Sequence, residues 1–153
     1  MLFRSAACRR ICTYGLFENT STHQKFWVFN THFDHVGTVA REKSAQLILS
    51  KIKELNRSKI PVVLMGDFNS TNESKAVLTI CLEMKDSYNI SDERTNGPKG
   101  TFNGFNPSNL PVDRIDYIFV SGFRVSSYYN IDDRRNDGFF ISDHFPVLVE
   151  LQN

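Results

Sequence analysis

Acidic, histidine and asparagine side chains gather in four short segments of this sequence, and each segment lies beside an apolar run. The segments cover residues 30–35, 66–69, 113–116 and 142–144. Any one of them alone has a plainer explanation, such as a helix cap, a loop histidine or an ion pair. Together they offer the carboxylates, imidazoles and amide that bind a hard divalent cation and move protons around a phosphate. Their position at the ends of predicted strands favours a catalytic site.

The stretch 61–69, Pro-Val-Val-Leu-Met-Gly-Asp-Phe-Asn, is the centre of this pattern. A run of five apolar residues ended by a glycine predicts a strand that is buried on both faces. Gly66 is expected to let the backbone turn where the strand stops. Asp67 and Asn69, two positions apart, are expected to project to the same side of an extended chain. The strand therefore presents a carboxylate beside an amide.

The first half of the chain predicts elements that support this strand. Residues 10–17 and 25–31 have the β-branched and aromatic composition of a hairpin. Thr38 is expected to cap a helix whose apolar stripe is formed by Ala45, Ile48, Ile52 and Leu55. A capping-box pattern at 70–73 predicts a second, short helix. The order of strand, helix and strand indicates layered α/β architecture.

The second half is less regular. Residues 84–99 are polar and turn-rich, which predicts a long surface loop, and 101–103 are predicted to form a brief strand. Residues 114–120 and 123–129 have the pattern of two adjacent strands joined in a hairpin around Ser121 and Gly122. Residues 147–151 predict a closing strand.

Composition restricts the class of protein. The 153 residues suffice for one domain, and a net charge of +1 does not indicate a nucleic-acid-binding face. Three cysteines without CxxC spacing support neither a disulfide framework nor a zinc site, and buried thiols in a reducing compartment are expected. No apolar run is long enough to span a bilayer. The sequence alone therefore predicts a soluble, cytoplasmic chain.

The four segments resemble, in order and spacing, the later motifs of the endonuclease/exonuclease/phosphatase superfamily, with its deoxyribonuclease I-like and exonuclease III-like fold. The motifs are Asn30-Thr31-His32-Phe33-Asp34-His35, Gly66-Asp67-Phe68-Asn69, Asp113-Arg114-Ile115-Asp116-Tyr117-Ile118 and Ser142-Asp143-His144-Phe145-Pro146-Val147. The resemblance implies an α/β (α+β) fold, namely part of a four-layer α/β/β/α sandwich. It also implies hydrolysis of a phosphoester by water with Mg²⁺ or Mn²⁺. The substrate would be a nucleic acid, a nucleotide, or a sugar or lipid phosphate.

The resemblance also implies catalytic roles. Asp67 would orient or deprotonate the attacking water, and Asn69 would hold that aspartate or a phosphate oxygen. Asp116 would fix the tautomer of His144. His144 would bind a phosphate oxygen and stabilise charge as the bond breaks, and His32 would do the same from the other side.

Metal and phosphate binding are implied as well. Asp143 would be a metal ligand, directly or through water. Arg10 is a candidate phosphate contact, with a solvated strand charge as the equal alternative. The family's first half carries an asparagine and the principal metal-binding glutamate, and no residue before Arg10 matches either. Residues 1–153 are therefore expected to be an incomplete domain, the C-terminal half.

An incomplete sandwich has physical consequences. It leaves a sheet edge open, which invites self-association. Loss of the principal metal ligand predicts weak or absent activity for the isolated chain. The alternative hypothesis is a non-catalytic remnant, or a fragment that requires a partner.

Overall fold

A computed structural model describes residues 6–94, 97–108 and 111–152 of the chain. Its elements in chain order are β1 (Cys12–Glu18), β2 (Lys25–His32), α1 (Thr38–Leu55), β3 (Val62–Asp67), α2 (Lys75–Cys81), β4 (Lys85–Asp86), α3 (Ser87–Ile90), β5 (Glu93–Arg94), β6 (Asp116–Ser121), β7 (Arg124–Asn130) and β8 (Val147–Gln152). The strands form one sheet in the order β1-β2-β3-β6-β4 and a second in the order β5-β7-β8. β2 and β3 are parallel and connected by α1, whereas β3 and β6 are antiparallel.

Strand β3 is buried on both faces, as its apolar run predicts. Val62 and Leu64 join the core that the five-stranded sheet forms with α1 and α2. Val63 and Met65, on the opposite face, join a second core between the two sheets. This alternation follows from the period of two in a strand. The layers therefore run helix, sheet, sheet, and the predicted α/β sandwich fold is confirmed.

Helix α1 packs through the predicted stripe. Ala45 and Ile48 are buried, and Ile52 and Leu55 pack against the same core. The prediction that Thr38 caps the helix is wrong, because Thr38 is its first residue and the N-cap is Gly37, which makes no side-chain cap. The carboxylate of Asp34 instead binds the backbone just before the helix, because its Oδ1 atom accepts hydrogen bonds from the N–H groups of Val36 and Gly37.

The predicted hairpin between 114–120 and 123–129 is wrong, although both strands exist. β6 belongs to the five-stranded sheet and β7 to the three-stranded sheet. The short connection contains Gly122 at φ +78°, a left-handed conformation that glycine adopts at little cost. This turn carries the chain from one sheet to the other, so that Val120 and Val125 face each other in the core between the sheets.

Three local predictions also require correction. The segment 84–99 is not one loop, because it contains β4, α3 and β5; its residues 95–96 lie outside the described part of the chain. The N-cap of α2 is Ser74, whose hydroxyl accepts the N–H of Val77, and not the capping box at 70–73. The predicted strand 101–103 is reduced to a single antiparallel bridge between Phe102 and His144.

A buried ion pair joins β4 to the segment before β6. Arg114 donates two hydrogen bonds to the carboxylate of Asp86, and their side chains are only 9% and 3% exposed. The guanidinium also lies 4.3 Å from the centroid of the Tyr117 ring. Arg114 is thus enclosed by its partner and by aromatic rings. Removing the partner leaves a buried charge without compensation.

We expect Asp86→Asn to lower the free energy of unfolding by roughly 3 kcal/mol, measured by urea denaturation. The control is Asp92→Asn, which makes the same chemical change in the exposed pair with Arg124. That control should cost less than about 1 kcal/mol, because exposed pairs are screened by solvent. Equal losses in the two variants would contradict the importance of burial.

Candidate active site

His32, Asp67 and Asp116 form one row across three neighbouring strands. His32 ends β2 and is paired in register with Asp67, the last residue of β3. Asp67 is in turn paired with Asp116, the first residue of β6. Met65 and Ile118, two residues away on their strands, lie in the core between the sheets, so the row continues that face. The Nε2 atom of His32 lies 3.2 Å from Oδ2 of Asp67.

His144 completes the group from the second sheet. It lies in the segment just before β8, and its Nδ1 atom is 2.8 Å from Oδ2 of Asp116. Its Nε2 atom lies 3.9 Å from Oδ2 of Asp67. Because an ionised carboxylate only accepts hydrogen bonds, the proton sits on Nδ1 and the Nε2 atom faces Asp67. Both sheets therefore contribute to one site.

Asn69 holds the carboxylate of Asp67. Its backbone N–H donates to Oδ1 of Asp67 at 2.7 Å, and its side-chain Nδ2 lies 3.3 Å from Oδ2. The same Nδ2 donates to the carbonyl of Phe33 at 3.0 Å, which anchors the amide to the segment after β2. Asn69 adopts φ +45°, a left-handed conformation that asparagine tolerates better than most residues.

Gly66 does not end the strand, contrary to the prediction. It lies inside β3, one residue before the strand ends, and adopts φ +137°. A Cβ atom at this position would lie 1.8 Å from the carbonyl oxygen of Thr31 on β2. The glycine is therefore required for the close approach of two backbones that places His32 beside Asp67.

Burial and neighbouring charges shift the protonation of the site. Burial raises the pKa of Asp67, and the hydrogen bond from the Asn69 backbone only partly offsets this. Burial acts to lower the pKa of His144, but the hydrogen bond and charge of Asp116 outweigh it, so the pKa of His144 is raised. A raised pKa makes Asp67 a stronger base than an ordinary aspartate. The raised pKa of His144 keeps its imidazole ring protonated to higher pH.

Two cavities, each of about 340 Å³, adjoin the row. One is lined by Asp67, Asp116 and His144, and the other by Arg10 and His32. Asn30 lines both; it stands two residues before His32 on β2, so strand alternation could have predicted its place on this face.

Arg10 lies outside the close group. Its Nη2 atom is 3.0 Å from Nδ1 of His35, and it borders the cavity next to His32. Asp143 is the neighbour of His144 in sequence, and its charge contributes to the raised pKa of that histidine. The roles of Arg10 in phosphate binding and of Asp143 in metal binding stay predictions.

Among the described residues, Asp67, Asp116 and His144 form a group that could hold a metal ion. One ligand atom from each lies within 4.8 Å of the others. Two carboxylate oxygens and one imidazole nitrogen suit Mn²⁺, and the carboxylates suit Mg²⁺, with water in the remaining positions. The donor set therefore fits the divalent cation implied by the sequence motifs. Asp143 is not part of this group.

The comparisons with known proteins agree on one family. The model of the Endonuclease/Exonuclease/phosphatase family matches residues 3–144. A mannosyl-6-phosphatase of Bacteroides thetaiotaomicron is 39% identical, with a TM-score of 0.89, and the match covers 97% of this chain and 59% of that protein. A protein of unknown function from Enterococcus faecalis is 33% identical, with a TM-score of 0.90 and coverage of 99% and 60%.

A third solved structure, an endonuclease/exonuclease/phosphatase from Bacteroides vulgatus, is 38% identical, with a TM-score of 0.87 and coverage of 99% and 59%. The chain thus spans about 60% of the length of these similar structures. No curated protein is significantly similar to it. In the part of the chain that the structure describes, none of the helices has the length and apolar character needed to cross a membrane.

Proposed function

The chain belongs to the endonuclease/exonuclease/phosphatase family, and from this membership we propose that it acts as a divalent-metal-dependent phosphoesterase. The observation that carries the proposal is the row of His32, Asp67 and Asp116, completed by His144 from the second sheet. This arrangement sets a carboxylate base between two imidazoles that can contact phosphate oxygens. It is the arrangement needed for attack of water on a phosphoester.

The residues act together in this mechanism. Asp67, held by Asn69, orients a water molecule and accepts its proton, which its raised pKa favours. Asp116 holds the ring of His144 so that Nε2 faces the cleft. His144 and His32 donate hydrogen bonds to the phosphate oxygens and stabilise the charge that develops there. A bound Mg²⁺ or Mn²⁺ would be held by the carboxylates of Asp67 and Asp116 and would supply positive charge near those oxygens, while Nε2 of His144 is left to donate to the phosphate.

The substrate we propose is a small phosphomonoester of the sugar phosphate type. One support is the 39% identity to a protein named as a mannosyl-6-phosphatase. A second is the net charge of +1, since binding to long nucleic acids needs many clustered cations. In the same proposal Arg10 contacts the phosphate or a second polar group of the substrate, and Asp143 supports the metal through water.

We also propose that this chain alone is a weak catalyst. Mg²⁺ and Mn²⁺ in phosphoesterase sites are held by several oxygen ligands, and the described residues bring only two carboxylates into the group.

We also propose that the chain associates with itself through a sheet edge. β1 is an end strand of its sheet, and Leu16 and Phe17 on it are half exposed. The three cysteines are free, which supports a cytoplasmic location, but the prediction that their thiols are buried is wrong, because Cys8 and Cys81 are exposed and Cys12 is partly exposed.

Phosphate release from a substrate panel tests the proposed function. The panel contains mannose 6-phosphate, p-nitrophenyl phosphate, bis(p-nitrophenyl) phosphate and single-stranded DNA, each with Mg²⁺, with Mn²⁺ and with EDTA. We expect slow hydrolysis of the monoesters that requires metal and stops in EDTA. Preferred cleavage of the diester or of DNA would overturn the substrate class. Fast turnover would overturn the proposal that the chain alone is weak.

A further inference from the structure

One buried threonine connects the two sides of the candidate active site. Thr101 has no exposed surface. Its hydroxyl accepts hydrogen bonds from the backbone N–H groups of Ile115 at 3.0 Å and Asp116 at 3.1 Å, where β6 begins. Its carbonyl accepts the N–H of Phe145 at 2.7 Å, directly after His144. The same residue therefore fixes the backbone that carries Asp116 and the backbone that carries His144.

The next two residues extend this connection along the segment before β8. Asn103 is 5% exposed, and its Nδ2 donates to the carbonyl of Ser142 at 3.0 Å. Its backbone N–H donates to the carbonyl of Asp143 at 2.8 Å. Phe102 forms a bridge with His144, and the centroids of their two rings are 5.1 Å apart. We call residues 101–103 the bracket.

We propose that Thr101 is a positioning residue that sets the hydrogen bond between Asp116 and His144. The catalytic consequence of this inference rests on the proposed function, whereas the positioning itself rests on geometry alone. Asp116 begins β6 of the five-stranded sheet, whereas His144 lies in the segment that leads into β8 of the other sheet, and no strand pairing joins β6 to β8. The bracket supplies the missing connection through backbone hydrogen bonds on both sides.

The threonine hydroxyl is suited to this task because it accepts two N–H groups at once. Replacing it with a methyl group leaves the partly buried N–H groups of Ile115 and Asp116 without their acceptor, and we expect the start of β6 to shift in response. A shift of about 1 Å suffices to break a hydrogen bond of normal length. The ring of His144 then loses the partner that orients it.

Three variants distinguish a role of Thr101 in positioning Asp116 and His144 from a role in the stability of the fold alone. Thr101→Val keeps the shape of the side chain and removes the acceptor, and Thr101→Ser restores the acceptor. Ser127→Ala is the matched control, because Ser127 is a buried hydroxyl whose partner is Glu150, on the second sheet. The readout that needs no activity is the Nδ1–H proton signal of His144 in ¹⁵N-histidine NMR. The chain has four histidines, and His144→Ala assigns the signal by its loss.

We expect the Nδ1–H signal in the wild type, in Thr101→Ser and in Ser127→Ala, and its loss by solvent exchange in Thr101→Val. The kcat for a phosphomonoester should fall roughly 100-fold in Thr101→Val and recover in Thr101→Ser, while KM stays nearly constant. If Thr101→Val does not fold, Asn103→Ala is expected to weaken the same signal. An unchanged signal in the folded variant overturns the inference. Absence of turnover in the wild type would count against the proposed function only, since the NMR signal decides the positioning by itself.

Discussion

The His144→Ala chain is expected to hydrolyse phosphomonoesters with a kcat roughly 10³-fold below that of the wild-type chain. His144 donates Nδ1–H to Asp116 at 2.8 Å, which leaves Nε2 directed toward the cleft and 3.9 Å from Asp67. In the proposed mechanism this geometry holds the imidazole where charge develops on the phosphate oxygens. Alanine removes this donor and leaves the carboxylate of Asp116 without its partner.

The measurement is the initial rate of phosphate release at saturating substrate, with Mn²⁺ present. His23→Ala is the matched control, because His23 lies in the exposed turn between β1 and β2 and is paired with Glu18. That variant should retain the wild-type rate. Equal losses in both variants would indicate a general effect of removing histidine, and an unchanged rate in His144→Ala would remove this residue from the mechanism.

Gly66→Ala is expected to have the largest effect on folding. The added Cβ would lie 1.8 Å from the carbonyl oxygen of Thr31, a backbone atom that cannot move without breaking the β2–β3 pairing. The residue would also have to adopt φ +137°, which side chains disfavour. We expect a loss of at least about 4 kcal/mol in the free energy of unfolding, or no folded protein.

Circular dichroism during urea denaturation measures this loss. The control is Gly138→Ala, since Gly138 also has a positive φ of +84° but has no atom within 4 Å of the added Cβ. It should lose only the cost of the left-handed backbone, about 1–2 kcal/mol. A similar loss in both variants would show that backbone strain, and not the contact with Thr31, makes Gly66 necessary.

The central strand could be predicted from the sequence because its signal is local. The run from Pro61 to Met65 is apolar without alternation, and Val62 to Met65 do pack on both faces of the sheet. The stripe of α1 was equally clear, since Ala45 and Ile48 recur at helical spacing. Such patterns need no knowledge of distant residues.

The register of the site could not be predicted in the same way. Nothing local states that His32 pairs with Asp67, or that Asp67 pairs with Asp116, because strand pairing depends on residues far apart in the sequence. Only the resemblance of the four motifs to those of a known family predicted that these residues form one site. The structure supplies the physical account, a single row on the face between two sheets.

The predicted hairpin around Gly122 and the predicted strand at Thr101 are both wrong because contacts between residues far apart in the sequence decide these structures. The pattern around Gly122 is that of a hairpin, yet the turn passes the chain to another sheet, and Val120 and Val125 both join the core between the sheets. The sequence predicts that Thr101 belongs to a brief strand, whereas its hydroxyl accepts two hydrogen bonds from a segment more than a dozen residues away. A buried hydroxyl of this kind has no signature in a single sequence.

The function itself is tested most directly by measuring phosphate release from mannose 6-phosphate by the wild-type chain and by Asp67→Asn, side by side in Mn²⁺ and after chelation with EDTA. Asparagine keeps the size of Asp67 but cannot accept the proton of the attacking water. We predict release by the wild type in Mn²⁺ only, and none above background by Asp67→Asn. Equal release by Asp67→Asn, or undiminished release in EDTA, would contradict a metal-dependent phosphoesterase site at this row of residues.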